Sequence, residues 1–206
     1  QLKLPFIVHG RSATEVPHAW LDIDNEGAVR RSTEHLLDLG HRRIALLNGR
    51  EGLTFTLDRL VGYKAALAER GIDYDPQLVT HGSFTDEIGF RFARSALEQR
   101  PRPTAFVAGS MMTALGVYRA ARSRNLVIGQ DISVIAHDDV FPYLTAENMA
   151  PSLSTTRSSI RAAGSRITDL LLQMLSGCQA TDVKELWPVE LILRETSRPV
   201  PKDAAE

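Results

Sequence analysis

With 206 residues, 43% of them hydrophobic and 24% charged, the chain can close one large α/β domain or two small lobes around a proper core. The formal net charge is −1, from 24 basic and 25 acidic side chains, so overall charge exerts no pull toward nucleic acid. A single cysteine, Cys178, excludes an intramolecular disulfide and fits a reducing cytoplasm; no apolar run reaches a membrane span, and no secretory leader is expected.

Short apolar runs alternate with amphipathic segments along most of the chain. Leu4–Val8 and Trp20–Ile23 predict two strands, and a helix follows from about Glu26 to Leu39, stopped by Gly40 at a position suited to a left-handed cap. Arg43–Leu47 is a continuous apolar run, the pattern of a strand buried on both faces. Then come a helix over Leu57–Arg70 ended by Gly71, a strand at Leu78–Thr80 and a helix over Thr85–Gln99 broken by Pro101 and Pro103. A strand at Thr104–Ala108, a helix over Thr113–Arg124 and a strand at Ile132–Ala136 complete the series. Alternation of this kind predicts a doubly wound parallel sheet, in which ligands sit beyond the carboxyl ends of the strands.

The stretch from Phe141 to Ser154 reads as irregular and is expected to carry the chain to another lobe. Arg157–Ser176 is a helix with Ile160, Ala163, Ile167, Leu170, Leu171, Met174 and Leu175 on one face, and Leu186–Leu193 is a returning strand. Residues 1–24 and 151–180 are therefore assigned to an N-terminal lobe, 25–150 and 181–198 to a C-terminal lobe, and 199–206 to a loose tail. The N-terminal lobe reads as incomplete, because its few strands leave one face of a parallel sheet bare, and the chain is expected to be a fragment. No internal repeat or low-complexity segment occurs.

Five segments carry a resemblance. They are Leu4–Arg11; Asp24-Asn25 through His35-Leu-Leu-Asp-Leu-Gly-His-Arg-Arg-Ile-Ala45 to Asn48-Gly49; Arg59-Leu-Val-Gly-Tyr63; Gly129–Asp139; and Leu193-Arg-Glu-Thr-Ser197. Their order and spacing, over nearly the whole chain, resemble the lactose-repressor and galactose-repressor family of bacterial transcription regulators. The resemblance implies a two-lobed fold like that of periplasmic sugar-binding proteins, closing on a small effector, here expected to be a carbohydrate. It also implies a homodimer, and operator DNA bound only through a helix-turn-helix headpiece that this chain is expected to lack. No cofactor and no membrane partner are expected.

Sugars are gripped by planar hydrogen-bonding groups around their hydroxyls and by aromatic faces against their C–H patches. By resemblance, Arg59 matches the family's effector-binding arginine of the Arg-x-x-Gly pattern; taken alone it reads as a helix-surface arginine. Its replacement by alanine is expected to weaken effector binding and leave the fold intact. Asp138 matches the acidic ligand contact, against the plainer reading of a turn aspartate. Phe84 matches the stacking aromatic and Phe55 is its neighbour; either could instead fold into the core. His9 and Arg11 end the first strand, and Ser110 opens the helix after Ala108. Ser110 and Met111 stand where the family has asparagine and aspartate, and Ala136-His137 where it has glycine and tyrosine, which leaves the effector's identity open.

Nothing points to an enzyme: the six histidines form no His-x-x-x-His pattern, and no nucleophile elbow or phosphate-binding Gly-Lys-Ser/Thr loop occurs, so neither catalytic nor metal residues are assigned. The rival is a periplasmic-type sugar-binding protein of a transport system, usually monomeric. A repressor core instead dimerises, by resemblance through the helices at 85–99 and 113–124 and the segment after Asp139, where Val117, Ala120 and Ala121 offer either a small-residue surface or core.

Overall fold

The computed structural model describes residues 4–14, 16–138 and 140–200. Asp139 and the tail from 201 onward, both part of the sequence expectations, lie outside the described residues. The large lobe is a six-stranded sheet in the order β11-β9-β6-β5-β3-β4, built from β3 (Ile44–Asn48), β4 (Val79–His81), β5 (Ala105–Ala108), β6 (Ser133–His137), β9 (Ser154–Arg157) and β11 (Glu190–Ile192). Every pairing is parallel except β11 with β9.

Alternation along β3 explains the two layers. Ile44 and Leu46 face helices α1 (Asn25–Asp38) and α2 (Thr54–Glu69), while Ala45 and Leu47 face α3 (Asp86–Ala96) and α4 (Met111–Ser123). All five β3 residues are buried, as a doubly covered strand requires. Side-chain caps set the helix starts: Asp24 accepts from the Gly27 amide, Thr85 from Ile88 and Ser110 from Thr113. Gly40 (φ +92°) and Gly71 (φ +65°) follow the ends of α1 and α2 in the left-handed region that glycine adopts without strain. The α3–α4 pair crosses closely, because a Cβ on Gly116 would lie 2.2 Å from the Asp86 carbonyl oxygen.

The small lobe is a parallel sheet in the order β1-β2-β10, from Ile7–His9, Ala19–Ile23 and Lys184–Trp187, with α5 (Ile160–Leu175) packed on it. In α5, Ala163, Leu170 and Met174 are buried while Ile160 and Leu175 are exposed, so only part of the expected apolar face is covered.

Two sequence expectations are corrected, and one left open is decided. The returning strand is two strands: β10 pairs with β2 in the small sheet, and β11 with β9 in the large one, with Pro188, which has no N–H to donate to a ladder, in the gap. Ser154–Arg157, expected as part of the irregular stretch and the start of α5, is a strand of the large sheet, so residues 154–157 and 184–187 exchange the lobes assigned to them. Val117, Ala120 and Ala121 are core: none exceeds 1% exposure. Between β6 and β9 a short hairpin, β7 (Val140–Phe141) and β8 (Leu144–Thr145), carries a fully exposed Tyr143 at its tip.

The end of the described chain is bolted down. Thr196 donates its hydroxyl to the Val134 carbonyl and accepts from the Ser154 amide, and Val200 donates its amide to Leu39. Fully buried His41 places Nδ1 2.9 Å from the Thr104 hydroxyl and Nε2 3.0 Å from the Arg198 carbonyl oxygen.

Candidate functional site

A cleft of about 370 Å³ opens between the lobes, at the carboxyl ends of β5 and β6. The small lobe contributes His9, Arg11, Asp22 and the start of α5; the large lobe contributes Asn25, Phe55, Arg59, Phe84, Gly109, His137 and Asp138.

Arg59 is 4% exposed and lies at the floor. Its Nε donates to Asn25 Oδ1 and its Nη1 to the Gly109 carbonyl oxygen, each at 2.9 Å, while Nη2 has no hydrogen-bond partner among the described residues. Phe55 and Phe84, with ring centroids 6.0 Å apart, flank the guanidinium at 5.1 and 5.7 Å. Burial lowers the Arg59 pKa to about 10, against the opposing pull of Asp138 and Asp22, so the group remains cationic at neutral pH. Gly109 makes this packing possible: a Cβ there would lie 2.6 Å from both the Leu47 carbonyl oxygen and the Phe84 ring.

Asp138 follows β6 with φ +65°, a left-handed conformation that aspartate tolerates better than most residues and that concentrates at functional sites. Its amide donates to the Thr156 carbonyl oxygen at 2.8 Å, anchoring the turn on β9. Beside it, His137 sets Nδ1 3.1 Å from the Thr156 hydroxyl and Nε2 3.3 Å from Asp138 Oδ1. Burial, reinforced by the Arg59 charge, holds the His137 pKa well below the usual imidazole range, so the ring is neutral.

Of the seven residues singled out in the sequence, six line this cleft: Arg59, Asp138, Phe84, Phe55, His9 and Arg11. Ser110 does not. Its hydroxyl caps α4 in a reciprocal box with Thr113, and it is the preceding residue, Gly109, that reaches the cleft. Phe55 stands in the first turn of α2, which begins at Thr54, ahead of the Leu57 start expected from the sequence. Arg11 is engaged by two carboxylates, with Nε 3.0 Å from Asp22 and Nη2 on Asp58.

Asp22 and Asn25 join the wall without being expected from the sequence. Asp22, 4% exposed, also accepts from the Ile23 amide and from the Asn25 side-chain amide, which in turn presents Oδ1 to Arg59. The available signal was an acidic residue inside an otherwise apolar strand. A larger cavity of about 780 Å³ adjoins the cleft through Asp138, Ser158 and Ile160, but the Phe55–Phe84 pair and the buried Arg59 belong to the smaller one.

Residues 33–197 match the family model of the periplasmic binding protein-like domain. The chain belongs to this family. Within it, the chain is 45% identical over 201 residues to the HTH-type transcriptional regulator AglR of Rhizobium meliloti, a match covering 97% of this chain and 56% of AglR. Among solved structures, the complex of the transcriptional regulator CelR with cellobiose superposes with a TM-score of 0.85 at 29% identity, covering 93% of this chain and 58% of that one. The lac repressor dimer bound to operator and the anti-inducer ONPF gives a TM-score of 0.82 at 29% identity, covering 96% and 58%. The periplasmic-binding-protein-like fold and the lactose-repressor resemblance expected from the sequence are borne out by these matches. The chain spans just over half the length of AglR.

Proposed function

We propose that this chain is the effector-sensing and dimer-forming core of a bacterial transcriptional regulator, a repressor, that responds to a small carbohydrate. One observation carries the reading. Arg59 from helix α2 and Asp138 from the end of β6, a cation and an anion from separate elements, line one cleft between two lobes together with the Phe55–Phe84 pair. Carboxylates accept from sugar hydroxyls, Arg59 Nη2 donates to a ring or hydroxyl oxygen, and the phenyl faces cover C–H patches. That CelR was solved with cellobiose, and that the matching relatives are regulators, favours a sensor over a transport receptor.

An effector held by both lobes favours their closed arrangement by the difference in its affinity for the two states, and by no more than that. In the whole protein this closure would reposition a DNA-binding headpiece in each half of a homodimer. Net charge −1 gives this core no overall electrostatic pull toward nucleic acid. The β7–β8 hairpin, with Tyr143 exposed, is the proposed centre of the dimer face. Among the described residues no helix is long and apolar enough to cross a membrane, and no three of His, Cys, Asp and Glu gather to hold a metal ion.

Calorimetric titration with cellobiose, maltose and glucose, with adenine and guanine as controls, tests the ligand class. A sugar is expected to bind, and a purine binding in its place contradicts the carbohydrate reading. Sedimentation at micromolar concentration is expected to show a dimer.

A further inference from the structure

With Asp58 behind Arg11, three carboxylates face two guanidinium groups at the cleft. Histidines aside, the wall holds two guanidinium groups, Arg11 and Arg59, and two carboxylates, Asp22 and Asp138. Arg59 has two of its three nitrogens engaged by Asn25 and Gly109, and its charge is opposed by Asp138 and Asp22. Arg11 is held more completely. Its Nε lies on Asp22, its Nη2 on Asp58, and its guanidinium carbon sits 5.7 Å from the Trp20 ring centroid. Asp58 belongs to α2 of the large lobe and does not line the cleft; it approaches Arg11 of the small lobe from outside the wall. Two further arginines line the adjoining cavity, Arg157, 3.5 Å from Glu190, and the exposed Arg161, and the start of α5 is capped by Ser159.

A phosphate ester carries about −1.5 to −2 charges at neutral pH and needs cations that the protein has not already neutralised. An uncharged polyol asks for the opposite: carboxylates to accept its hydroxyl hydrogens, one or two fixed donors, and no surplus of cations. Without Asp58, the wall would present Arg11 with one of its two carboxylates gone.

We propose that Asp58 is a specificity-determining residue that neutralises Arg11 from outside the cleft, so that the site takes an uncharged sugar or glycoside and rejects its phosphorylated counterpart. The inference rests on the carbohydrate reading above. It assigns selectivity to a residue that need not touch the ligand.

The test is calorimetry on the whole chain with three matched pairs: glucose, maltose and cellobiose against glucose 6-phosphate, maltose 6′-phosphate and cellobiose 6′-phosphate. The wild-type protein is expected to favour the neutral member of the pair it binds best by about tenfold or more. Asp58→Asn is expected to shrink that ratio by about tenfold, most strongly at low salt, and Asp58→Glu to keep it. Arg11→Gln combined with Asp58→Asn should restore the preference, which a merely structural role of Asp58 would not do. Asp58→Ser serves in the same comparison if the asparagine variant fails to fold. A wild-type protein that binds a phosphorylated member as tightly as its neutral partner overturns the inference and leaves the carbohydrate reading standing. A neutral preference that Asp58→Asn leaves unchanged overturns the role of Asp58. If none of the six ligands binds, the carbohydrate reading itself fails and this inference falls with it.

Discussion

Arg59 joins the cleft to the fold, and its replacement is the most informative perturbation. The guanidinium donates to two buried acceptors, Asn25 Oδ1 and the Gly109 carbonyl oxygen. Bonds from a charged donor contribute about 1.5–3 kcal/mol each, and their loss leaves both acceptors dry. Working against this, a buried cation is costly, as the lowering of its pKa to about 10 shows, and its removal recovers part of that cost. Arg59→Ala should therefore lose about 2–4 kcal/mol of stability, or about 5–12 °C in Tm for a domain of this size. This departs from the sequence-based expectation that alanine leaves the fold intact; burial at 4% exposure is the reason. Arg59→Lys keeps the charge but cannot reach both acceptors with one ammonium, so it should cost about half as much. Effector affinity, measured by calorimetry below both melting temperatures, should fall about 100-fold or more in the alanine variant. Urea denaturation showing Arg59→Ala within about 0.5 kcal/mol of wild type would refute the assignment of these two bonds as supports of the site.

Stability should fall as pH drops below the ordinary histidine value of 6.5, because burial lowers the pKa of His35, His41 and His137 in the folded chain. The unfolded chain takes up protons there that the native chain refuses, at up to about 1.4 kcal/mol per pH unit for each histidine. Urea midpoints between pH 5 and 8 check this, and a midpoint that rises toward acid contradicts it. Gly116→Ala should destabilise by about 1–3 kcal/mol, since its Cβ would meet the Asp86 carbonyl oxygen at 2.2 Å, whereas Gly164→Ala, with nothing within 4 Å in α5, should stabilise by about 0.5–1 kcal/mol. Thermal melts of the two variants should move in opposite directions.

The parts of the fold that sequence patterns exposed were those written in local chemistry. The short Ile44–Leu47 run, set between a glycine-capped helix and a loop, matches a doubly covered strand, and Gly40 and Gly71 mark two helix ends within a residue or two. Strand β9 was hidden because Ser154, Thr155 and Thr156 look like loop residues and yet are buried. Their hydroxyls are satisfied by partners far along the chain: Ser197 for Ser154, Arg194 for Thr155 and His137 for Thr156. No local window can show such pairings. Missing β9 also displaced the crossing between lobes, which is why Lys184–Trp187 was assigned to the wrong one.

The site divides in the same way. Arg59, Asp138 and Phe84 were legible through the family pattern, and the strand-end rule points to the same region. Ser110 was misplaced because a serine that opens a helix serves its own backbone first, and its hydroxyl is already taken by Thr113. Asp22 was passed over because its role depends on Asn25 and Arg11 arriving from separate elements. Asp58 is one step further removed, since only the approach of the two lobes gives it a partner.

The most direct measurement is a crystal structure of the chain with whichever sugar raises its Tm most. Density for the ligand between Arg59 Nη2 and the Asp138 carboxylate, against the Phe55 and Phe84 rings, is the predicted result. Density confined to the larger cavity beside Trp187, with the Arg59 cleft filled only by water, would contradict it.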